Sequence, residues 1–512
     1  MAPRTMKTPA FEMLVAGILI FGLPVHFLSA QDDPKAKAGE RVYPFAMCSN
    51  GNILTNPEYP VKMLDAGARM CRVDITFPSV RREPGDDPAK WNWSGLDRLR
   101  ELRKKHPDLE YLVLLGYGAP WAEDPKFKDP NQPAGNAPLT ISGPQAGINV
   151  MPVEDPRNLY GHYVYETVRR YKDVTKYWES WNEPDLPGAH FFKGTGKDFF
   201  PYQKACYLAA KKADPACTVV FAGLCYGTVE GYLAAHKLKA PTPYPPKECF
   251  FEEYLKECVK DPDARKNNYY FDIMNQHSYS RASDLYDYVA IDNKLMQDYL
   301  GEVKPTWITE MGIVDNGANG FGCNPDEYCD YQLQAFAWGR LAGAERFFHF
   351  QLDNSNGHGL YKGMLGDAKP ALTAYRDVLV KEFAAARFVK QLHGARGVDF
   401  LAGNSPFDPK WKAGYDLFEF QSPDGKKRIL MAFADTDAAV DVKVPATKAK
   451  ATLITRDNQR SEILARNGNY ELRLPGATNI GGWPFFKDNK DAVALGQPEY
   501  LIGGATLVVI EE

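Results

Sequence analysis

The chain has 512 residues and a formal net charge of −4, with 44% hydrophobic and 25% charged residues. These fractions are typical of a globular protein with a sizeable core, and the length fits one large barrel plus a smaller domain. The slightly negative charge and the lack of any basic run give no indication of nucleic acid or an anionic membrane surface as a partner.

The amino terminus has the pattern of a secretory signal. Arg4 and Lys7 precede an apolar stretch over residues 13–28, and polar residues follow it. A membrane anchor is the alternative, but the stretch is short for a bilayer span and is broken by glycines and a proline. We therefore predict that residues 1–30 are a cleaved signal peptide, that the protein is secreted or periplasmic, and that it has no stable membrane insertion.

The chain contains nine cysteines, which is an odd number. Export would permit disulfides, and two pairs are close enough in sequence to close small loops: Cys323 with Cys329 and Cys249 with Cys258. At least one thiol then remains free or pairs outside the chain. Because neither Cys-x-x-Cys nor His-Glu-x-x-His occurs, we predict no metal site, and we expect no cofactor.

Short apolar runs alternate with helical stretches over most of the chain, which is the rhythm of a parallel α/β fold. The pattern predicts helices over residues 93–105, 159–171, 198–213, 330–342 and 370–383. It predicts eight strands over residues 43–48, 70–76, 111–116, 174–181, 218–222, 271–277, 306–310 and 346–351.

A (β/α)8 TIM barrel over residues 41–385 accounts for this rhythm. A doubly wound open sheet is the alternative from rhythm alone, but no Gly-x-Gly-x-x-Gly turn follows the first strand. After residue 390 short alternating runs appear between clusters of Gly, Pro, Asn and Asp, which predicts an antiparallel β-sandwich domain over residues 390–512. The predicted fold class is therefore α/β, a TIM barrel with a C-terminal β-sandwich.

Two glutamates close separate strand-like runs. Glu183 lies in WESWNEPD at residues 178–185, and Glu310 ends the run that begins at Pro305. In a (β/α)8 barrel, side chains at the carboxyl ends of different strands converge on one face. Glycoside hydrolysis needs this convergence, since one carboxylic acid protonates the leaving oxygen while a second carboxylate attacks or guides water at the anomeric carbon. A lone Asn-Glu-Pro triplet occurs by chance, but the flanking tryptophans and the second strand-ending glutamate strengthen the signal.

WESWNEPD, followed by FxGT at residues 192–195 and Ala-Asp-Pro at residues 213–215, resembles clan A glycoside hydrolases. Within that clan the chain looks most like family 39, the group of β-xylosidases and α-L-iduronidases. The resemblance covers the predicted barrel and extends to the appended β-sandwich. It implies that Glu183 is the general acid/base and Glu310 the nucleophile of a retaining mechanism, in which the two carboxyl groups lie about 5 Å apart.

Several other residues are candidates for binding substrate or for supporting these acids. The resemblance implies that Asn182 hydrogen-bonds the sugar 2-hydroxyl, that Arg72 steadies the nucleophile, and that His277 borders the site in a His-x-Tyr element. Arg69 is a rival to Arg72 by pattern alone, and Tyr279 could also donate to the nucleophile. A lone buried histidine or arginine is more often structural, but the strand-end positions favour function.

Trp121, Trp181 and Asp353 are further substrate-binding candidates. Either tryptophan could stack on a sugar face, although a core position is at least as common for this residue type. Asp353, with Asn354 and His358, follows the eighth strand in a turn-rich loop and could recognise sugar hydroxyls. A solvated loop is the plainer alternative.

Two features depart from the family 39 pattern. Asp74 stands where that family commonly has a histidine, and the eighth strand lacks the tryptophan that is common across the clan. The sugar pocket is therefore expected to differ, and a divergent branch of the clan also fits.

The sequence predicts a secreted retaining glycoside hydrolase that cleaves O-glycosidic bonds of an oligo- or polysaccharide. The alternatives are a non-catalytic carbohydrate-binding protein on a barrel scaffold, a transglycosidase that uses the same covalent intermediate, and a structural cell-surface protein. The identity of the sugar, its anomeric configuration, endo or exo action, and the oligomeric state stay open.

Overall fold

The computed structural model describes residues 42–127, 139, 152–186, 191–235, 249–315, 323–355, 357–394, 413–479 and 502–512. The predicted signal peptide, residues 1–30, lies outside these ranges and stays a prediction. Residues 41–512 form one compact unit, and the predicted division into domains near residue 390 stays a prediction. Across the described ranges, no helix is both long enough and apolar enough to cross a membrane.

Eight parallel strands form the barrel, which confirms the predicted fold class. They are β1 (Phe45–Cys48), β2 (Met70–Asp74), β3 (Glu110–Leu114), β4 (Tyr177–Glu179), β5 (Thr218–Val220), β6 (Met274–Ser278), β7 (Thr306–Met311) and β8 (Ala344–His349). The strands pair in the order β5-β4-β3-β2-β1-β8-β7-β6. Parallel bridges from Val220 to Ile273 and from Leu224 to Gln276 join the two outer strands and close the barrel.

The barrel strands are apolar because side chains on both faces are buried. All residues of β1 and β7 are buried, for example. Inside the barrel a packed cluster fills the space, so that a ligand has room only at an open end. This cluster contains Ala46, Cys48, Met70, Leu112, Val220, Ile273, Trp307, Phe348 and Phe350.

Helices surround the barrel, and the five predicted helices all occur. The helices are α1 (Asn52–Thr55), α2 (Tyr59–Asp65), α3 (Phe77–Val80), α4 (Ser94–Lys105), α5 (Leu159–Tyr171), α6 (Gly196–Ala213), α7 (Tyr226–Ala235), α8 (Phe250–Lys260), α9 (Asp284–Leu300), α10 (Pro325–Ala342), α11 (Pro370–Thr373) and α12 (Lys381–Phe383). A π-helical turn, Ala374–Val380, joins α11 to α12. Local sequence explains the ends of α10, since Asn324 and Glu327 form a capping box and Gly343 ends the helix with a φ of 97°.

The C-terminal strands form two antiparallel sheets, as predicted for a β-sandwich. One sheet has the order β14-β13-β16-β11-β10-β9, and the other pairs β12 with β15. The strands are β9 (Arg387–His393), β10 (Tyr415–Gln421), β11 (Arg428–Ala434), β12 (Val440–Pro445), β13 (Lys450–Thr455), β14 (Arg460–Leu464), β15 (Asn469–Leu474) and β16 (Leu507–Glu511). The sheets pack against α10, where Phe336 stacks on Phe420 and Trp338 meets Phe418 edge-on.

Neither suggested disulfide forms in the structure. All nine cysteines are buried free thiols. The four thiols that we considered as pairs are each directed at a backbone carbonyl instead: Cys249 at Thr228, Cys258 at Tyr269, Cys323 at Val314 and Cys329 at Pro325.

Candidate active site

Glu183 and Glu310 meet at the carboxyl end of the barrel. Glu310 lies in β7, and Glu183 follows the end of β4 by four residues. A carboxylate oxygen of each glutamate and Nδ1 of His277 lie within 4.8 Å of one another. The glutamates are 9% and 7% exposed, so each reaches the surface by a small edge only. The two carboxylates are therefore close enough to act on the same bond.

A strained turn positions Glu183. Its backbone φ is +39°, a left-handed conformation that is uncommon for a residue with a Cβ and costs about 1–3 kcal/mol. The turn is held because the backbone N–H of Glu183 donates to the carbonyl of Gly223 at 2.8 Å. Gly223 must be glycine, since a Cβ there would lie 2.0 Å from Nε2 of His277. The short residue thus lets the imidazole approach the acid.

Arg72, a fully buried residue in the middle of β2, binds three of the surrounding side chains. Its Nη1 donates to Oε1 of Glu310 at 2.5 Å, and its Nε and Nη2 donate to the two oxygens of Glu179 at 2.5 and 3.0 Å. Nη2 also donates to Oδ1 of Asn182 at 2.9 Å. Burial alone would lower the pKa of Arg72, but the charges of Glu179 and Glu310 outweigh burial and raise it well above its usual value.

The structure brings Arg72, and not its rival Arg69, to the nucleophile candidate. Arg69 donates instead to the backbone carbonyls of Leu64 and Ala68. The sequence analysis missed the second partner of Arg72, which is Glu179. The sequence feature that could have identified Glu179 is a glutamate between two tryptophans in a buried strand, where a charged group needs a partner.

Both oxygens of Glu310 accept a strong hydrogen bond. Arg72 occupies Oε1, and the hydroxyl of Tyr279 donates to Oε2. Burial nevertheless raises the pKa of Glu310 above its usual value, although the charges of His277 and Arg72 act in the opposite direction. Burial makes Glu310 more basic, while the two donors favour its ionised form.

His277 lies between the two acids. Its Nδ1 is 2.9 Å from Oε1 of Glu183 and 3.6 Å from Oε2 of Glu310, and its Nε2 is 2.9 Å from Oγ1 of Thr309. Burial lowers the pKa of His277 to about 4, so the ring is neutral near pH 7.

Glu183, His277 and Glu310 are also residue types that bind a divalent cation. Both oxygens of Glu310 are already hydrogen-bonded, and the guanidinium of Arg72 places a positive charge 2.5 Å from one of them. A second cation would have to displace these donors and overcome that charge. The arrangement therefore fits a pair of reacting acids better than a metal centre.

Asn182 is placed where an amide could contact a sugar. Its Oδ1 accepts from Arg72, which directs the Nδ2 group away from the arginine. Nδ2 makes no hydrogen bond to any residue that the structure describes, so two N–H donors stay available for a hydroxyl group.

The two candidate tryptophans differ in burial, since Trp181 is fully buried and Trp121 is half-buried. Trp181 is fully buried, and its Nε1 donates to the carbonyl of Phe191 at 3.0 Å. The ring of Trp121 lies between Phe77 and the guanidinium of Arg81. The full burial of Trp181 favours the core alternative for this residue, whereas Trp121 is half-buried and its role stays a prediction.

Asp353 is held inside the loop that follows β8. Its carboxylate is fully buried and accepts hydrogen bonds at 2.9 Å from both Asn52 and Tyr59. These bonds tie the loop to α1 and α2, so the structure gives Asp353 a structural position in place of the predicted contact with substrate. His358, in the same loop, lies nearer the acids because its ring contacts Tyr279 edge-on.

Tyr117 and Asp74 lie next to the acids. Burial and the charge of Asp74 raise the pKa of Tyr117 well above its usual value, and the charges of Glu310 and Glu183 also contribute. The side chain of Asp74 is 25% exposed, and its Oδ1 lies 3.7 Å from Nη1 of Arg72. Tyr117 was not a candidate in the sequence analysis, although an aromatic residue just beyond the third predicted strand was a signal for it.

Asp185, the last residue of WESWNEPD, supports the neighbouring loop. Its carboxylate accepts hydrogen bonds from the backbone N–H groups of Cys225 and Thr228 at the start of α7, and from the Thr228 hydroxyl. Burial raises the pKa of Asp185 to about 7, against the effect of these hydrogen bonds. The sequence analysis did not assign a role to Asp185.

Comparison with known proteins gives similarity at the level of structure. No known family profile and no curated protein matches the sequence. A family 39 glycoside hydrolase from Bacteroides cellulosilyticus WH2 aligns with a TM-score of 0.57 and 13% identity, over 92% of this chain and 81% of that one. A family 39 β-xylosidase from Caulobacter crescentus aligns with a TM-score of 0.51 and 12% identity, over 93% and 97% of the two chains.

A conserved exported protein from Bacteroides fragilis is also similar, with a TM-score of 0.53 and 12% identity, over 92% of this chain and 97% of that one. Identities this low show a common fold and leave the activity to be argued from the site. The chain therefore has the barrel and β-sandwich fold of family 39 glycoside hydrolases.

Proposed function

We propose that the protein is a retaining glycoside hydrolase that cleaves an O-glycosidic bond in an oligo- or polysaccharide. The main observation in support of this proposal is that Glu183 and Glu310 have carboxylate oxygens within 4.8 Å of each other at the open end of the barrel. At this separation the second carboxylate attacks the anomeric carbon directly. The fold similarity to a family 39 β-xylosidase supports the same reaction class.

The two acids have environments that match different roles. Glu310 accepts from Arg72 and Tyr279, which suits a carboxylate that attacks carbon. Oε1 of Glu183 lies 2.9 Å from Nδ1 of the neutral imidazole of His277, a contact that suits a group that holds and gives a proton. This separation of environments is how a pair of carboxyl groups divides nucleophilic and acid–base work.

The reaction proceeds in two displacements. In the first, an oxygen of Glu310 bonds to the anomeric carbon while Glu183 transfers its proton to the glycosidic oxygen, and the carbon–oxygen bond to the leaving group breaks. In the second, Glu183 takes a proton from water, the water oxygen bonds to the anomeric carbon, and Glu310 is released as a carboxylate. Nδ2 of Asn182 would donate to the sugar 2-hydroxyl, where a hydrogen bond strengthens in the transition state.

We also propose that the protein is exported. The signal-like pattern of residues 1–30 supports this location, as does the fold similarity to a protein described as a conserved exported protein. A polymeric glycan supplied from outside the cell cannot cross the membrane, so a hydrolase of such a substrate acts outside the cytoplasm.

The test is hydrolysis of a panel of aryl glycosides and natural glycans by the wild type, Glu183→Ala and Glu310→Ala. Each substitution should lower activity by at least about 10²–10⁴-fold, since each removes a group that takes part in bond making or breaking. Azide should restore turnover with different products. Glu183→Ala should give a glycosyl azide of retained configuration, and Glu310→Ala one of inverted configuration.

Glu101→Ala is the matched control, because Glu101 lies on the exposed side of α4 and its removal leaves the catalytic face unchanged. Thermal unfolding of all variants checks that each is folded. If the wild type binds a glycan without cleaving any substrate, and both glutamate variants bind it equally well, the hydrolase proposal is wrong and the carbohydrate-binding alternative replaces it.

A further inference from the structure

A chain of hydrogen bonds behind the two acids begins at Asn275 in β6. Its Nδ2 donates to Oε1 of Glu179 at 3.0 Å and to the carbonyl of Phe221 at 3.1 Å. Both partners are acceptors, so this end of the amide carries the protons and the oxygen faces the opposite way. The backbone N–H of Thr309, which can only donate, points at that oxygen at 3.3 Å. The orientation of Asn275 is thus fixed from both ends.

The hydroxyl proton of Thr309 is fixed in turn. Oγ1 of Thr309 lies 2.7 Å from Oδ1 of Asn275, an oxygen that carries no proton. The single hydroxyl proton must therefore lie on this bond. Oγ1 is then only an acceptor toward Nε2 of His277, which is 2.9 Å away. Nε2 must consequently carry a proton.

A neutral imidazole has one ring proton, so Nδ1 of His277 presents a lone pair. Burial holds the pKa of His277 at about 4, which keeps the ring neutral near pH 7. Nδ1 lies 2.9 Å from Oε1 of Glu183. An ionised Glu183 would place an oxygen lone pair against this nitrogen lone pair, and the contact would be repulsive. A protonated Glu183 makes the same contact a hydrogen bond.

We propose that Thr309 and Asn275 are positioning residues that fix His277 as its Nε2–H tautomer and so keep the acid proton on Glu183. The catalytic consequence rests on the proposed function, but the tautomer is a property of the resting protein and can be tested without a substrate.

Charged groups on three strands face His277. Arg72 and Glu179 approach from β2 and β4, and Glu310 approaches from β7 at 3.6 Å from Nδ1. Glu310 and Glu179 favour a charged ring, whereas burial and Arg72 oppose it, and the balance is the neutral form. The group on the other side, Glu183, also lies near the charge of Asp185 and the hydroxyl of Tyr279.

The chain also bears on both reaction steps. When Glu183 gives its proton to the glycosidic oxygen, it becomes a carboxylate that faces the Nδ1 lone pair. This repulsion ends when Glu183 takes a proton from the attacking water in the second step. The fixed tautomer therefore favours return of the acid to its protonated form, while Nδ1 of His277 stays unprotonated.

Nitrogen-15 NMR of protein labelled at histidine tests the tautomer directly, with His277→Gln used to assign the signal. In the wild type at pH 7, we expect Nε2 to be protonated and Nδ1 to be unprotonated. In Thr309→Val the acceptor is lost without a large change in shape, and the signal should move toward the Nδ1–H form. An Nδ1–H tautomer or an imidazolium in the wild type would overturn the proposal.

The pH dependence of kcat/KM tests the catalytic consequence. In Thr309→Val, the Nδ1–H form can donate to an ionised Glu183, so the alkaline limb should move to lower pH by about one unit. Thr309→Ser keeps the hydroxyl acceptor and should return the wild-type profile. A uniform fall in kcat at every pH, with no movement of the limb, would mean that Thr309 acts only in packing and would overturn this part. If the wild type has no glycosidase activity, the proposed function fails while the NMR result still decides the tautomer.

Discussion

Arg72 and Arg456 each bind carboxylates, and their surroundings differ. Arg72 on the catalytic face binds Glu179 and Glu310, and two more acids, Glu183 and Asp74, lie close to the pair. Arg456, after β13, binds the buried Asp330 of α10 at 2.5 Å and the exposed Asp326 at 2.9 Å. Acidic groups outnumber the cation on the catalytic face, so carboxylates remain there that the arginine does not neutralise.

At the interface between α10 and the β-sheets, by contrast, each oxygen of the buried Asp330 carboxylate has its own donor. Asp330 accepts from Arg456 and also from the backbone N–H of Thr506. Gln334 both donates to the carbonyl of Gly504 and accepts from the N–H of Gly503. A matched network holds two layers together, whereas an excess of acid on an open face gives groups that can still react. We therefore expect the cluster around Arg72 to take part in the reaction and the cluster around Arg456 to hold α10 against the β-sheets.

Replacing each arginine by methionine should have the largest effects, and it tests whether the two clusters differ in function. Arg72→Met leaves Glu179 buried without its counter-charge, so we expect a loss of about 3–5 kcal/mol in the free energy of unfolding. Activity should also fall by at least about 10²-fold, because Glu310 loses a donor that holds its ionised form. Urea unfolding and kcat/KM measure the two effects.

Arg456→Met is the matched variant at the interface. Arg456 is partly exposed and Asp330 keeps its bond from Thr506, so we expect a smaller loss of about 1–2 kcal/mol. Its kcat/KM should equal that of the wild type. An equal fall in activity in both variants would show that the two clusters do not differ in function.

Two buried aspartates give a second, smaller contrast that depends on pH. Burial raises the pKa of Asp185 from 3.8 to about 7 on the catalytic side, and that of Asp330 from 3.8 to about 6 at the interface. Between 3.8 and each raised value, the folded protein binds more protons than the unfolded chain. Stability should therefore fall as the pH rises through each window, and it should be regained as the pH falls.

Asp185→Asn and Asp330→Asn each remove one such titration. Relative to wild type, each variant should gain in stability as the pH rises through its window, by an amount of order 1–3 kcal/mol. The gain should extend to about pH 7 for Asp185→Asn and stop near pH 6 for Asp330→Asn. Urea unfolding at a series of pH values measures this difference. Parallel stability curves for wild type and variants would contradict the predicted protonation of these carboxyls.

The periodicity of apolar residues was sufficient to predict the barrel, because the local preference of each segment agrees with its position in the fold. All eight barrel strands occur within a few residues of their predicted positions, and α5 (Leu159–Tyr171) has its predicted ends. Two strands, β9 and β14, were not predicted. Most residues of β9 are half-buried and most of β14 are exposed, so neither has the apolar alternation on which strand prediction depends.

The site was harder to predict, because the type of a residue does not reveal whether its side chain points to the open end of the barrel or into the core. Glu183, Glu310, Arg72, His277 and Tyr279 are brought together as the motifs and strand ends indicated. Trp181 and Asp353 have equally suggestive positions, but both are fully buried. Their orientation depends on partners that are distant in sequence, as for Asp353, whose carboxylate binds a residue 301 positions away. Thr309 and Asn275 could not be singled out for the same reason, since their role depends on which atom donates.

The substitution Asp74→Asn should have a smaller effect than the arginine and buried-aspartate substitutions. It tests whether the negative charge near Glu183 and Glu310 disfavours substrates that carry a carboxylate. The Oδ1 atom of Asp74 is buried and makes no hydrogen bond to another described residue, while the side chain is 25% exposed. A sugar that carries a carboxylate would be repelled by this charge. Removing it should raise kcat/KM for an aryl uronide, relative to the neutral aryl glycoside, by about tenfold or ~1.4 kcal/mol.

Asp97→Asn is the control for Asp74→Asn, because Asp97 lies on α4 and its removal changes the net charge equally without changing the catalytic face. The ratio of the two kcat/KM values should stay at the wild-type value in this variant. The repulsion should also weaken at high ionic strength if it acts through solvent, and persist if Asp74 meets the sugar directly. An unchanged ratio in Asp74→Asn would show that the Asp74 carboxylate does not face the sugar. The presence of aspartate where family 39 commonly has a histidine would then reflect packing and not substrate choice.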